Sequence, residues 1–224
     1  MGGVPEHFNL PWHLAIENGL FEKEGIEIEW TVFKGGTGQM TQALRDNEID
    51  VCILLTEGII SDIVNGNPSK LIGKYLNTPL IWGVYTGINN PVNLYGEIYD
   101  KNYAISRFGS GSHLMPIVDA NAKKIKLQKE QFLVIKNLEG ALESLSENET
   151  DAFYWEKYTT KPYVDSGILK HLGDYVTPWP CFMIAATNRI LESEKSAIDN
   201  MLKVIYFTSK QFMNQLLSND LDLG

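Results

Sequence analysis

The stretch Val51-Cys52-Ile53-Leu54-Leu55-Thr56-Glu57-Gly58-Ile59-Ile60 decides the fold. Five consecutive apolar residues suit a strand buried on both faces and are too few for a helix of their own. Thr56 then caps a helix in which Ile59, Ile60, Ile63 and Val64 form the apolar stripe and Gly66 the stop. A buried strand running straight into a capped helix is the repeating unit of an α/β protein.

The same alternation extends in both directions. Upstream, Asn9 serves as N-cap and Pro11 lies in the first turn of a helix carrying Leu10, Leu14, Ala15 and Ile16, which stops near Gly19. Ile26 to Phe33 places Ile26, Ile28, Trp30 and Val32 on one face of a strand, and Gly35-Gly36-Thr37 opens a helix that ends near Asn47. Downstream come strands at Lys70 to Tyr75 and Leu80 to Thr86, then the turn-rich Gly87-Ile88-Asn89-Asn90-Pro91. A second series follows: strand Tyr103 to Arg107, loop Phe108 to Gly111, helix Ser112 to Lys124, strand Phe132 to Ile135, helix Leu138 to Leu145, strand Ala152 to Trp155, and helix Tyr158 to Val164. After the breaker Thr177-Pro178-Trp179-Pro180 come a strand at Cys181 to Ala186 and a long amphipathic helix from Ser193 to Leu217. The two breakers predict a discontinuous first lobe, residues 1–86 plus 178–224, and an inserted second lobe, residues 87–177. Two connecting segments of this kind make a hinge.

Composition narrows the function. The 224 residues carry 28 acidic against 19 basic side chains, a net charge of −9, with only three arginines. Nucleic acids and anionic membrane surfaces are therefore excluded as partners, since both require a basic face. Cys52 and Cys181 lie in apolar runs and read as buried, inert thiols. No apolar run approaches the ~20 residues that span a bilayer. The histidines, at positions 7, 13, 113 and 171, lack metal-ligand spacing, so no metal site is expected. Gly35-Gly36-Thr37-Gly38 lacks the lysine of a nucleotide-binding loop, and no nucleophile stands beside a base. Neither a catalytic residue nor a cofactor is expected. Met1 to Pro5 has no basic and apolar signal-like pattern, which reads as cytoplasmic for the chain as given, or as periplasmic or membrane-anchored if a leader has been removed.

Residues Asn9-Leu10-Pro11-Trp12-His13-Leu14-Ala15-Ile16-Glu17-Asn18-Gly19-Leu20-Phe21-Glu22-Lys23-Glu24-Gly25-Ile26 resemble the opening of type 2 periplasmic solute-binding proteins. The branch is the one for nitrate, alkanesulfonates, taurine and thiamine pyrimidine precursors. Gly35-Gly36, Glu48-Ile49-Asp50-Val51, Gly109-Ser110-Gly111-Ser112-His113 and Thr150-Asp151-Ala152-Phe153-Tyr154-Trp155-Glu156 match in the same order. The resemblance implies a two-lobe fold, each lobe a mainly parallel sheet flanked by helices, with a ligand cleft between the lobes. It also implies a non-catalytic solute receptor, an ABC permease as partner and a monomeric state. Relative to the family the chain looks clipped at both ends.

Helix N-termini at the carboxyl ends of strands supply the ligand site in such folds. The candidates are Phe8 and Asn9, Gly36 and Thr37, Thr56 and Glu57, and Ser110, Gly111, Ser112 and His113. Trp12, Trp155 and Trp179 offer flat faces for stacking, with core packing as the other reading of Trp12 and Trp179. Glu57 and Glu156 decide the ligand class: two carboxylates at one site oppose an oxyanion by about 1 kcal/mol or more each. A neutral or cationic hydrogen-bond donor is favoured, and an aminopyrimidine of the thiamine-precursor type fits it. The alternatives are a sulfonate- or nitrate-type anion receptor, a thiamine-pyrimidine biosynthetic enzyme of the same fold, and, for each glutamate, a helix cap.

Overall fold

A computed structural model describes residues 1–221. In chain order the elements are β1 (Gly2–Gly3), α1 (Leu10–Glu17), β2 (Thr31–Val32), α2 (Gly36–Arg45), β3 (Val51–Leu55), α3 (Thr56–Val64), β4 (Ser69–Leu76) and β5 (Ile81–Gly87). There follow β6 (Tyr103–Ile105), α4 (Gly111–Ala122), β7 (Phe132–Val134), α5 (Leu138–Ser146), β8 (Ala152–Glu156), α6 (Lys157–Asp165), β9 (Leu169–Val176), β10 (Phe182–Thr187), α7 (Asn188–Ser193) and α8 (Lys195–Leu221). No helix of the described residues is long and apolar enough to cross a membrane.

The first compact unit comprises Met1–Leu55, Asp62–Tyr75 and the chain from Phe182 onward. Its sheet has the order β2-β1-β3-β10-β4, with β1 parallel to β2 and β3, and β10 antiparallel to β3. Gly2 and Gly3 pair here because nothing larger fits: a Cβ at Gly2 would lie 2.5 Å from the Phe33 ring and one at Gly3 2.5 Å from Trp30. Only Thr31–Val32 of the strand expected from Ile26 to Phe33 is paired, since β1 offers two residues as partners. Ile26, Ile28 and Trp30 are nevertheless the less exposed members of their alternation.

The second unit comprises Thr56–Ser61 and Leu76–Cys181. Its sheet has the order β7-β6-β8-β5-β9, with β6 parallel to β7 and β8, and β5 antiparallel to both β8 and β9. Both sheets are therefore mixed, where mainly parallel sheets were expected. The lobe boundary also moves. The strand expected at Leu80 to Thr86 was assigned to the first lobe, yet it is β5, central in the second sheet. Gly87 to Pro91 turns the chain within this unit instead of leading into it. The periodicity overlooked β9 and α7, and on α3 it misjudged the face: Glu57 is buried, whereas Ile60 and Val64 are exposed.

Side chains alternate across the second sheet. Trp82, Val84, Tyr103, Ile105 and Tyr154 pack with Met115 of α4 on one face, and Tyr85, Ala104, Phe153 and Leu169 pack with Ala141 and Leu145 of α5 on the other. Asp119 of α4 is buried on the first face. Its Oδ2 accepts hydrogen bonds from the hydroxyls of Tyr95 (2.7 Å), Tyr99 (3.0 Å) and Tyr154 (2.7 Å), and its Oδ1 accepts one from Lys123 Nζ (3.0 Å). Burial, assisted by the Asp119 carboxylate, pushes the three phenols up, so they stay protonated and donate. Asp119→Ala leaves these donors facing a hole, and we expect unfolding free energy to fall by about 3 kcal/mol in urea titration. A change below about 1 kcal/mol would show that the cluster does not hold α4.

Candidate functional site

The N-terminus of α4 is built by the loop before it. Gly109 takes a positive φ of 79°, and Ser110 enters the helix in an extended conformation without capping it. The serine hydroxyls are used internally. Ser110 Oγ donates to the Arg107 carbonyl (2.6 Å), and Ser112 Oγ accepts from the Ser106 N–H (2.9 Å). His113 Nδ1 accepts from the Gly109 N–H (3.0 Å), which leaves its proton on Nε2. The ring lies edge-on to Phe108 and Phe132, and burial lowers its pKa, favouring the neutral form. Helix geometry leaves the first-turn backbone N–H groups of Gly111 and Ser112 without an intrahelical acceptor.

Glu57, in the first turn of α3, meets this N-terminus. It is 7% exposed. Its Oε2 accepts from the Trp179 indole N–H at 3.0 Å, while Oε1 is buried with no partner among the described residues. Burial raises the Glu57 pKa, against the opposing effects of its own backbone N–H and Trp179. Trp82 of β5, to which the sequence analysis assigns no role, belongs to the same place. A Cβ on Gly111 would lie 2.3 Å from Trp82 Cη2 and 3.5 Å from Glu57 Oε1, so only glycine fits between them. Trp82 is 5% exposed, and its Nε1 likewise has no partner among the described residues. Thr56, beside Glu57, is committed to structure: its hydroxyl donates to the Pro180 carbonyl at 2.5 Å instead of capping α3.

The other expected site residues divide differently. Trp155 packs on Phe153 on the α5 face of the sheet, opposite the face that carries Trp82 and Trp179. Glu156 caps α6: Oε1 accepts from the Tyr158 N–H, and Oε2 from the Thr159 N–H and hydroxyl. Strand alternation therefore turns Trp155 to the other face, while Glu156, the register partner of Trp82, has its carboxylate consumed by the start of α6. In the first unit Trp12 is fully buried among Phe21, Trp30 and Tyr75, and its Nε1, like that of Trp82, has no partner among the described residues. Asn9 is also fully buried and caps nothing; its amide donates to the Val4 carbonyl. Phe8 packs on Phe182, and its carbonyl accepts from the Tyr75 hydroxyl. Gly36 starts α2 with a φ of 63°, and Thr37 Oγ1 accepts from the Leu55 N–H, tying α2 to the end of β3.

Residues 82–175 match the family model described as Ca3427-like PBP. Among solved structures, the Candida albicans CA3427 gene product, described as having the generic periplasmic binding protein fold, superimposes with a TM-score of 0.85 at 29% identity, covering 99% of this chain and 73% of its own. The periplasmic aliphatic sulphonate binding protein SsuA from Escherichia coli gives a TM-score of 0.69 at 17% identity, covering 94% of this chain and 72% of its own. PhnD1 from Prochlorococcus marinus, in complex with methylphosphonate, gives 0.63 at 12% identity, covering 96% and 88%. No curated protein matches the chain in sequence. The chain has the type 2 periplasmic-binding-protein fold.

Two outcomes check these assignments. Glu156→Ala removes the α6 cap and should lower unfolding free energy by about 1 kcal/mol, measured by urea denaturation. For Glu57, a folded-state pKa raised above the ordinary 4.5 means that stability is full below that value and declines as pH rises through the raised one. Glu57→Gln abolishes this loss, so its melting temperature should pull ahead of the parent's by a few degrees across that window; a gap that does not change with pH refutes the assignment.

Proposed function

We propose that the protein is a non-catalytic receptor for a small solute, working with an ABC-type permease, and that its ligand presents a hydrogen-bond donor to Glu57. The observation that carries this reading is the unpartnered Glu57 Oε1 beside the α4 N-terminus. A buried acceptor left unpaired costs about 1–3 kcal/mol, and a ligand N–H removes that cost on binding. An oxyanion would gain from the helix N-terminus but meet the carboxylate at short range, and the charge of one carboxylate exceeds the partial charge of one helix end. A neutral or cationic nitrogen ligand is therefore favoured, and an aminopyrimidine of the thiamine-precursor type satisfies both the acceptor and the adjacent aromatic surface of Trp82 and Trp179. The second reading, an anion receptor, draws support from the α4 N–H groups and from relatives described as binding sulphonate or methylphosphonate. A chemically transformed ligand would favour the biosynthetic-enzyme alternative instead.

Calorimetry with an aminopyrimidine and an alkanesulfonate separates the readings. We expect the aminopyrimidine to bind more tightly, to raise the melting temperature and to be recovered unchanged, and Glu57→Gln to weaken it about tenfold or more. Tighter sulfonate binding by the parent, improved further by Glu57→Gln, would establish the anion receptor.

A further inference from the structure

Resting on the solute-binding reading, we propose that the Trp82 indole N–H is a ligand donor. Together with Glu57 Oε1 it reads an edge on which a donor and an acceptor stand side by side, as where an amino group adjoins a ring nitrogen.

Both atoms belong to side chains more than nine-tenths buried, and neither has a protein partner among the described residues. Their hydrogen-bonding senses are opposite: the indole nitrogen can only donate, and an ionised carboxylate oxygen can only accept. They do not bond one another, and the Trp82 atoms Cη2 and Cζ2, on the ring that carries Nε1, stand with Glu57 Oε1 around the space that a Cβ at Gly111 would take. The indole nitrogen of Trp179 is already committed to Glu57 Oε2, which fixes the carboxylate so that Oε1 is the oxygen left over. Trp82 is held in turn by its packing with Val84, Met115 and Tyr154, so the donor is preorganised.

The pair discriminates by what each ligand class leaves unsatisfied. An oxyanion can accept the Trp82 N–H hydrogen bond but opposes Glu57. An alkylammonium pairs with Glu57 and leaves the indole N–H buried and unpaired. A heteroaromatic amine with an adjoining ring nitrogen satisfies both at once, and polar sites reject analogues lacking one group more strongly than apolar pockets reject a missing methylene.

Three probes on the unaltered protein test this: an aminopyrimidine whose amino group adjoins a ring nitrogen, pyrimidine without the amino group, and aniline without the ring nitrogen. The aminopyrimidine should bind at least about tenfold more tightly than either of the others. Trp82→Phe keeps a ring but removes the N–H, and should weaken the aminopyrimidine about tenfold while leaving aniline unchanged. Glu57→Gln should weaken aniline and leave pyrimidine unchanged. If Trp82→Phe does not fold, the probe series on the parent still decides. Aminopyrimidine binding no tighter than aniline, or a Trp82→Phe effect equal for all probes, overturns the role of Trp82 while the receptor reading stands. Binding of an alkanesulfonate with none of the three rings overturns the ligand class and the Trp82 pairing together.

Discussion

One carboxylate oxygen, Asp119 Oδ2, gathers the hydroxyls of Tyr95, Tyr99 and Tyr154. A buried charge is tolerable only when its hydrogen bonds are nearly complete, so the cluster fixes the positions of every chain segment that contributes to it. Those segments are α4, β8 and the stretch between β5 and β6. Lys123, one helical turn on, balances the charge and lies over the rings of Tyr95 and Tyr99. With α4 seated in this way its first residue meets Trp82 with no room for a methyl group. The close approach at Gly111 thus depends on a constraint two turns further along the same helix.

Glu57 is the instructive contrast. Both carboxylates are buried in the same unit, but Asp119 has partners on both oxygens, whereas Glu57 has a side-chain partner on one. A fully satisfied carboxylate contributes to architecture. A half-satisfied one carries a desolvation cost that folding alone does not offset, and the raised pKa is the same fact expressed as a proton affinity. Costs of this kind persist at sites where something else supplies the missing partner.

Much of this was legible in the sequence. The run Val51 to Leu55 is a strand followed directly by a helix, and Ser110 to His113 open a helix, because apolar run length, glycine and serine act locally. What escaped is what depends on pairing. Gly2–Gly3 has no strand propensity and is a strand only because Phe33 and Trp30 occupy the space of its absent side chains. Gly87 to Pro91 suggests a lobe boundary because a turn signal marks a reversal without saying which sheet the strand before it joins. Nothing in the sequence singles out Trp82, since an aromatic residue in a strand is ordinary core; that its indole nitrogen lacks a partner among the described residues is a fact of the folded chain. Trp155 and Glu156, adjacent in sequence, looked like one feature, but strand alternation and helix capping send them to different tasks.

The fold alone does not choose the ligand, since the same scaffold serves proteins described as binding sulphonate and methylphosphonate. The choice rests on the sign of the charge facing the ligand. A helix N-terminus carries roughly half a positive elementary charge spread over several N–H groups, and solvent screens it unless the site is dry. Glu57, once ionised, carries a full negative charge in a buried position, where screening is weakest. Protonating it would remove that repulsion, but Trp179 donates to one oxygen and so stabilises the ionised form against the proton. An anion must therefore either meet the charge or draw in a proton with it, whereas a ligand N–H meets an acceptor already desolvated and held in place. On the proposed reading, that asymmetry in what each ligand must bring is what favours a nitrogen donor.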